Sequence, residues 1–151
     1  MMIFLPEDMD RLCFGHRSRM TARAVTRAFN TRLRPLNIQI TQYTLLAAIS
    51  MGGARSIAAL ADALDIEPST LQRNLKLLES RGLLEIEGGR GRNGRRFKVS
   101  PAGFALLEAG VPIWTRLQAD FAALLGGHAE QTRAALATLE RAALRLEKSR
   151  P

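Results

Sequence analysis

Residues 56–86 read SIAALADALDIEPSTLQRNLKLLESRGLLEI, and their punctuation is that of two short helices joined by a tight turn. Ser56 supplies a side-chain acceptor ahead of an apolar run, the place of an N-cap, and Ile57, Leu60, Ala61 and Leu64 follow the 3.6-residue period. After the three-residue turn Asp65-Ile66-Glu67, Pro68 suits the first turn of a second helix. That helix points Leu71, Leu75 and Leu78 inward and stops at Gly82. The order is that of a helix-turn-helix. Immediately downstream, EGGRGRNGRRFKV (residues 87–99) holds four arginines and four glycines between two alternating flanks. Leu84 and Ile86 alternate with Glu85 and Glu87, and Phe97 and Val99 alternate with Arg96, Lys98 and Ser100, so each flank reads as a strand with one buried face. Asn93-Gly94 permits the positive φ of a tight hairpin turn. The helix-turn-helix therefore carries a basic wing.

Working outward, the rest of the chain is helical. A long helix runs from Asp8 to about Leu33 and ends near Arg34-Pro35, with Leu12, His16, Met20, Ala24, Ala28 and Leu33 on one stripe. Thr41 looks like the N-cap of a helix that stops at Gly52-Gly53. Beyond the hairpin two further helices follow, the first with a kink expected at Pro112. Leu107, Val111, Trp114, Leu117 or Gln118, Phe121 and Leu125 form a wide apolar stripe on one of them, and Leu136, Leu139, Ala143 and Leu146 on the other. Helices this apolar need a cover, either an intramolecular bundle with the first helix or a second copy of the chain. The fold expected is mainly α: a winged helix-turn-helix with a two-stranded β-wing, and N- and C-terminal helices forming a dimerisation region. It is a single domain over 1–151, with the winged helix-turn-helix module at 38–100 and dimerisation helices at 8–35 and 101–148.

Charge narrows the partner. Against 14 Asp and Glu stand 22 Lys and Arg, a formal net charge of +8, which favours a polyanion such as nucleic acid. One cysteine excludes an internal disulfide framework, and with two histidines it leaves no zinc constellation, so neither metal nor cofactor is expected. No apolar run approaches the roughly 20 residues of a membrane span. The opening MMIFLPEDMD is acidic and too short for a signal peptide, so a cytoplasmic location is expected.

The apolar positions of the second helix leave Ser69, Thr70, Gln72, Arg73, Asn74 and Lys76 on its solvated parts. These side chains suit base edges and phosphates: Gln pairs with adenine, Arg with guanine, and Thr meets the thymine methyl. From Arg73 to Lys98 eight basic residues face three acidic ones, which favours a phosphate-facing surface. On the hairpin Arg90, Arg92, Arg95 and Arg96 are the backbone-contacting candidates; the bland alternatives are a solvated loop and a polar helix face without a partner.

In this order of segments the chain resembles the MarR family of winged-helix transcription regulators. The resemblance runs through LRPLNI (33–38), ITQYTLLAAI (40–49), the stretch 56–86, the wing and VSPAG (99–103); STLQRNLKLLESRGL and VSPAG are its most specific parts. It implies a recognition helix from Pro68 to Arg81, a wing from Arg90 to Arg96, and a dimer in which the first helix and the two C-terminal ones intertwine. It implies further a near-palindromic double-stranded operator read by two recognition helices about one turn apart. Family wings commonly carry Asp-x-Arg where this chain has Gly91, Arg92 and Asn93, so its wing relies on charge. Gln72 stands where the family more often has Ser or Thr, so the operator is its own.

Two signals are open. Between Arg11 and Arg34 there are seven arginines and no acidic residue, and Arg19, Arg23 and Arg27 recur every four residues, so three guanidiniums share one helix face. An anion would compensate them, and the resemblance implies a small aromatic or acyl effector, with His16, Arg19, Arg23, Tyr43 and Trp114 as candidate contacts. The alternative is a solvated stripe, or one paired with Glu108, Asp120, Glu140 and Glu147. Cys13, in LCF, is similar to the sensing cysteine of the hydroperoxide-responsive branch, with Arg17 and His16 near it, though the chain's single tyrosine is Tyr43. Cys13 and His16 lack an orienting third group and an oxyanion site, so an enzyme is not expected. The remaining alternative is a sequence-neutral nucleic-acid-binding architectural protein.

Overall fold

A computed structural model describes residues 11–52, 56–88 and 96–149. Among them are six long helices and one hairpin: α1 (Phe14–Leu33), α2 (Ile40–Ser50), α3 (Ile57–Leu64), α4 (Pro68–Ser80), β1 (Leu84–Glu87), β2 (Arg96–Val99), α5 (Pro101–Leu125) and α6 (Ala129–Lys148). One-turn 3₁₀ segments follow α1 and α5. The chain divides into two units, Met1–Ile113 and Trp114–Pro151.

The first unit holds the winged helix-turn-helix. Ser56 caps α3 by accepting the Ala59 N–H at 3.1 Å, and Pro68 opens α4, as their sequence positions predict. Asp65 takes the left-handed conformation (φ 50°) that turns the chain from α3 toward α4. At the other end of α4 the Gly82 and Leu83 N–H groups return to the Glu79 and Leu78 carbonyls, and Gly82 sits at φ 68°, a conformation that costs glycine least. The strands are antiparallel, with Leu84 opposite Val99, Glu85 opposite Lys98, Ile86 opposite Phe97 and Glu87 opposite Arg96. Apolar residues thus meet on one face and opposite charges on the other.

The core is leucine-rich and reaches beyond residues 38–100. Leu45, Leu46, Leu60, Leu71, Leu75, Leu78 and Leu84 are buried together with Leu33 from α1, and Leu106, Leu107 and Ile113 from α5 pack against them. The VSPAG stretch explains how α5 is fixed to the hairpin. Ser100 Oγ donates to the Gly82 carbonyl at 2.6 Å and accepts the Gly103 N–H at 3.0 Å, capping α5, while Pro101 occupies its first position. A Cβ at Gly103 would collide with the Leu83 carbonyl, so glycine is required there.

Two helix starts differ from the sequence expectation. Arg11 and Leu12 are helical, but Cys13 is extended and caps α1, which runs from Phe14; the expected start at Asp8 lies outside the described residues. The N-cap of α2 is Gln39 rather than Thr41: Gln39 and Gln42 form a reciprocal capping box, and Asn30 of α1 accepts the Ile40 N–H at 2.8 Å. Pro112 lies inside α5, which continues as one helix to Leu125; Glu108 and Pro112 are exposed, so the carbonyl deprived of its helical donor can reach water.

The second unit contains the end of α5 and all of α6. No residue of α6 is buried, and Leu136, Leu144 and Leu146 are exposed, the last by 77%. Val111 and Trp114 on α5 are about half exposed.

Candidate nucleic-acid interface

Helix α4 has two opposite faces because its apolar and polar residues keep separate helical registers. Leu71, Leu75 and Leu78, spaced i, i+4, i+7, are buried. Ser69, Gln72, Arg73 and Lys76, spaced i, i+3, i+4, i+7, are exposed on the far side, and Thr70 and Asn74 are half-buried along a flank. The burial of three leucines therefore aims one polar stripe outward. Its members combine amide, guanidinium, ammonium and hydroxyl groups, the set that can read base edges in a major groove.

Arg96 is exposed on β2 and stands opposite Glu87. Arg90, Arg92 and Arg95 lie outside the described residues, as does the Asn93-Gly94 turn.

The five candidate effector contacts are not equivalent in their surroundings. Arg19 and Arg23 are exposed on α1, and His16 is half-buried one turn from its start. Tyr43 is a core residue, 9% exposed, whose hydroxyl donates to the Leu107 carbonyl at 2.9 Å and whose ring occupies the space that a Cβ at Gly110 would need. Burial raises the Tyr43 phenol above its ordinary value. Trp114 belongs to the second unit. Cys13 Sγ accepts the His16 N–H at 3.4 Å and is half-buried. Among the described residues no group of three or more His, Cys, Asp or Glu could hold a metal, and no helix is long and apolar enough to cross a membrane.

A helix-turn-helix whose second helix presents such a stripe, followed by an antiparallel two-stranded wing, defines a winged-helix DNA-binding regulator. A family model described as MarR family matches residues 36–96. The chain is 30% identical to the transcriptional regulator MosR of M. tuberculosis, covering 90% of this chain and 98% of that one with a TM-score of 0.79. The same regulator in complex with DNA is matched at 30% identity over 89% and 98% of the two chains, TM-score 0.78. The S. aureus MepR–DNA complex, 18% identical over 89% and 99%, shares the fold at a TM-score of 0.72. A comparison with curated proteins finds no match. This chain belongs to the MarR family of transcriptional regulators.

Proposed function

We propose that this protein is a sequence-specific repressor that binds a near-palindromic duplex as a homodimer and is released by a small anionic effector. The observation that carries the reading is the polar stripe Ser69, Gln72, Arg73, Lys76, held outward by the buried leucines behind it. Pairing through the terminal helices is supported by their exposed apolar residues, Val111, Trp114, Leu136 and Leu146 among them. Regulation by an anion is supported by Arg19, Arg23 and Arg27 at four-residue spacing on one helix. Release requires that the effector bind the DNA-free conformation more tightly.

Footprinting on the DNA flanking the protein's own coding sequence tests this reading. A short protected site with two-fold symmetry, lost on adding an anionic effector, is the expected result. Uniform binding without a protected site, weakening equally for every sequence as salt rises, supports the sequence-neutral alternative instead. A thiol signal through Cys13 is the second reading, supported by its place at the start of α1, where Sγ meets a helix N–H. Peroxide releasing the wild type but not Cys13→Ser would select it.

A further inference from the structure

One flank of α4, beside its outward stripe, borders a trough of about 660 Å³ within the first unit. Helical geometry puts Leu77 and Arg81 about 80° and about 120° round the helix from Ser69, on the side of Thr70 and Asn74. The rest of the wall comes from the end of α1, the 3₁₀ segment Arg34–Leu36 and the start of α2. Arg81, the residue that ends α4, and Arg34 thus bring guanidiniums to the trough from different elements. Among the described residues no carboxylate lines it.

Its shape sets it apart from a small-molecule site. Arg34, Asn37, Gln39 and Leu77 are all exposed, so the trough lies open to solvent, whereas a pocket for a small ligand encloses most of the ligand surface. Main-chain donors at the start of α2 are already in use: the Ile40 N–H goes to Asn30 Oδ1 at 2.8 Å and the Gln39 N–H to Gln42 Oε1 at 3.2 Å. An anion in the trough is therefore held by side chains, Arg34 and Arg81 foremost, with the NH₂ groups of Asn30 and Gln42 behind them. Leu77, 43% exposed, adds apolar ground one turn before Arg81. Anionic and apolar contacts side by side suit a sugar-phosphate chain, its phosphate oxygens on the guanidiniums and a deoxyribose face on Leu77.

We infer that Arg34 and Arg81 form a seat for one phosphate of the duplex backbone, with a deoxyribose packed against Leu77. The inference rests on the DNA-binding reading and adds to it contacts outside both the recognition stripe and the wing. The dimensions favour it. A helix with its side chains is about 10–12 Å across and a major groove about 12 Å wide, so a helix whose outward stripe meets base edges turns its flanks toward the groove walls. Those walls are phosphate backbone. Because Arg34 belongs to the segment joining α1 to α2 and Arg81 to the end of α4, one phosphate held by both fixes the depth and register at which α4 enters the groove. The two arginines position the helix and carry no base preference of their own.

Anisotropy titrations of the full chain on a duplex it binds, and on the same duplex with single phosphates replaced by neutral methylphosphonate, test the seat. Arg34→Gln and Arg81→Gln are each expected to weaken binding about tenfold on all duplexes, to lower the salt slope by about 1 and to leave base preference unchanged. One methylphosphonate position in each half-site costs the wild type about tenfold and costs the Arg34→Gln/Arg81→Gln double variant nothing. Arg133→Gln, on the exposed surface of α6, binds as the wild type does. Circular dichroism checks that each variant folds, and the methylphosphonate arm alters only the DNA. The inference is overturned if either single variant keeps wild-type affinity and salt slope, if the variants shift base preference, or if every costly methylphosphonate position costs the double variant equally. A wild type without base preference overturns the sequence-specific reading alone, since loss of affinity and salt slope in the two variants still supports the seat.

Discussion

Helices α4 and α6 are both amphipathic, yet their apolar residues meet opposite fates. In α4 the leucines Leu71, Leu75 and Leu78 are buried within their own chain, beneath α2, α3 and the hairpin. In α6 nothing is buried, and Leu136, Leu144 and Leu146 remain exposed. The first helix belongs to a module that closes its own core. The second leaves its apolar side chains uncovered within the chain, and the proposal that it joins two copies rests on that difference.

The contrast breaks most visibly at α6. Leu136→Glu combined with Leu146→Glu places two charges in each half of the proposed two-fold interface, with about 6 kcal/mol or more of apolar burial lost across both copies. Sedimentation equilibrium then shows a folded monomer, whereas the wild type sediments as a dimer at micromolar concentration. Leu75→Ala acts on the other region. It lowers stability by about 2 to 5 kcal/mol in denaturant unfolding without altering the oligomeric state of the folded fraction.

Smaller effects sharpen the division of labour within the module. Gln72→Ala or Arg73→Ala loses about 1 to 3 kcal/mol of discrimination at particular base pairs, while Arg92→Ala, Arg95→Ala or Arg96→Ala weakens all duplexes alike and flattens the salt slope. Competition titrations with single-base variants of a bound site separate the two; wing variants that change base preference would reverse the assignment. The smallest effect concerns Tyr43. Its buried phenol is raised above 10.0, so the folded state favours the neutral form. The associated stability is present below pH 10.0 and is lost as the pH rises through that value toward the folded-state pKa. Tyr43→Phe removes the hydrogen bond to the Leu107 carbonyl, costs about 1 kcal/mol at neutral pH, and flattens the alkaline part of the unfolding profile.

Most of the fold was legible because its signals are local. Ser56, Pro68 and Gly82 act on residues within one turn of themselves, and the alternation in 84–87 and 96–99 translates directly into the observed register. The start of α2 was not, since Asn30 reaches Ile40 across ten positions and overrides the local appeal of Thr41. The burial of Tyr43 was not legible for a similar reason: its partners Leu107 and Gly110 are more than sixty residues away. The outward polar stripe of α4 could be read in advance because the leucines that aim it share its helix.

The central claim is that one region reads DNA and the other joins two readers. Selection of bound sequences from a random duplex pool by the wild-type chain tests both parts at once. The account predicts enrichment of a near-palindrome whose half-site centres lie about one helical turn apart, roughly 10 base pairs. A pool that stays unenriched, or that yields an isolated half-site without two-fold symmetry, would contradict it.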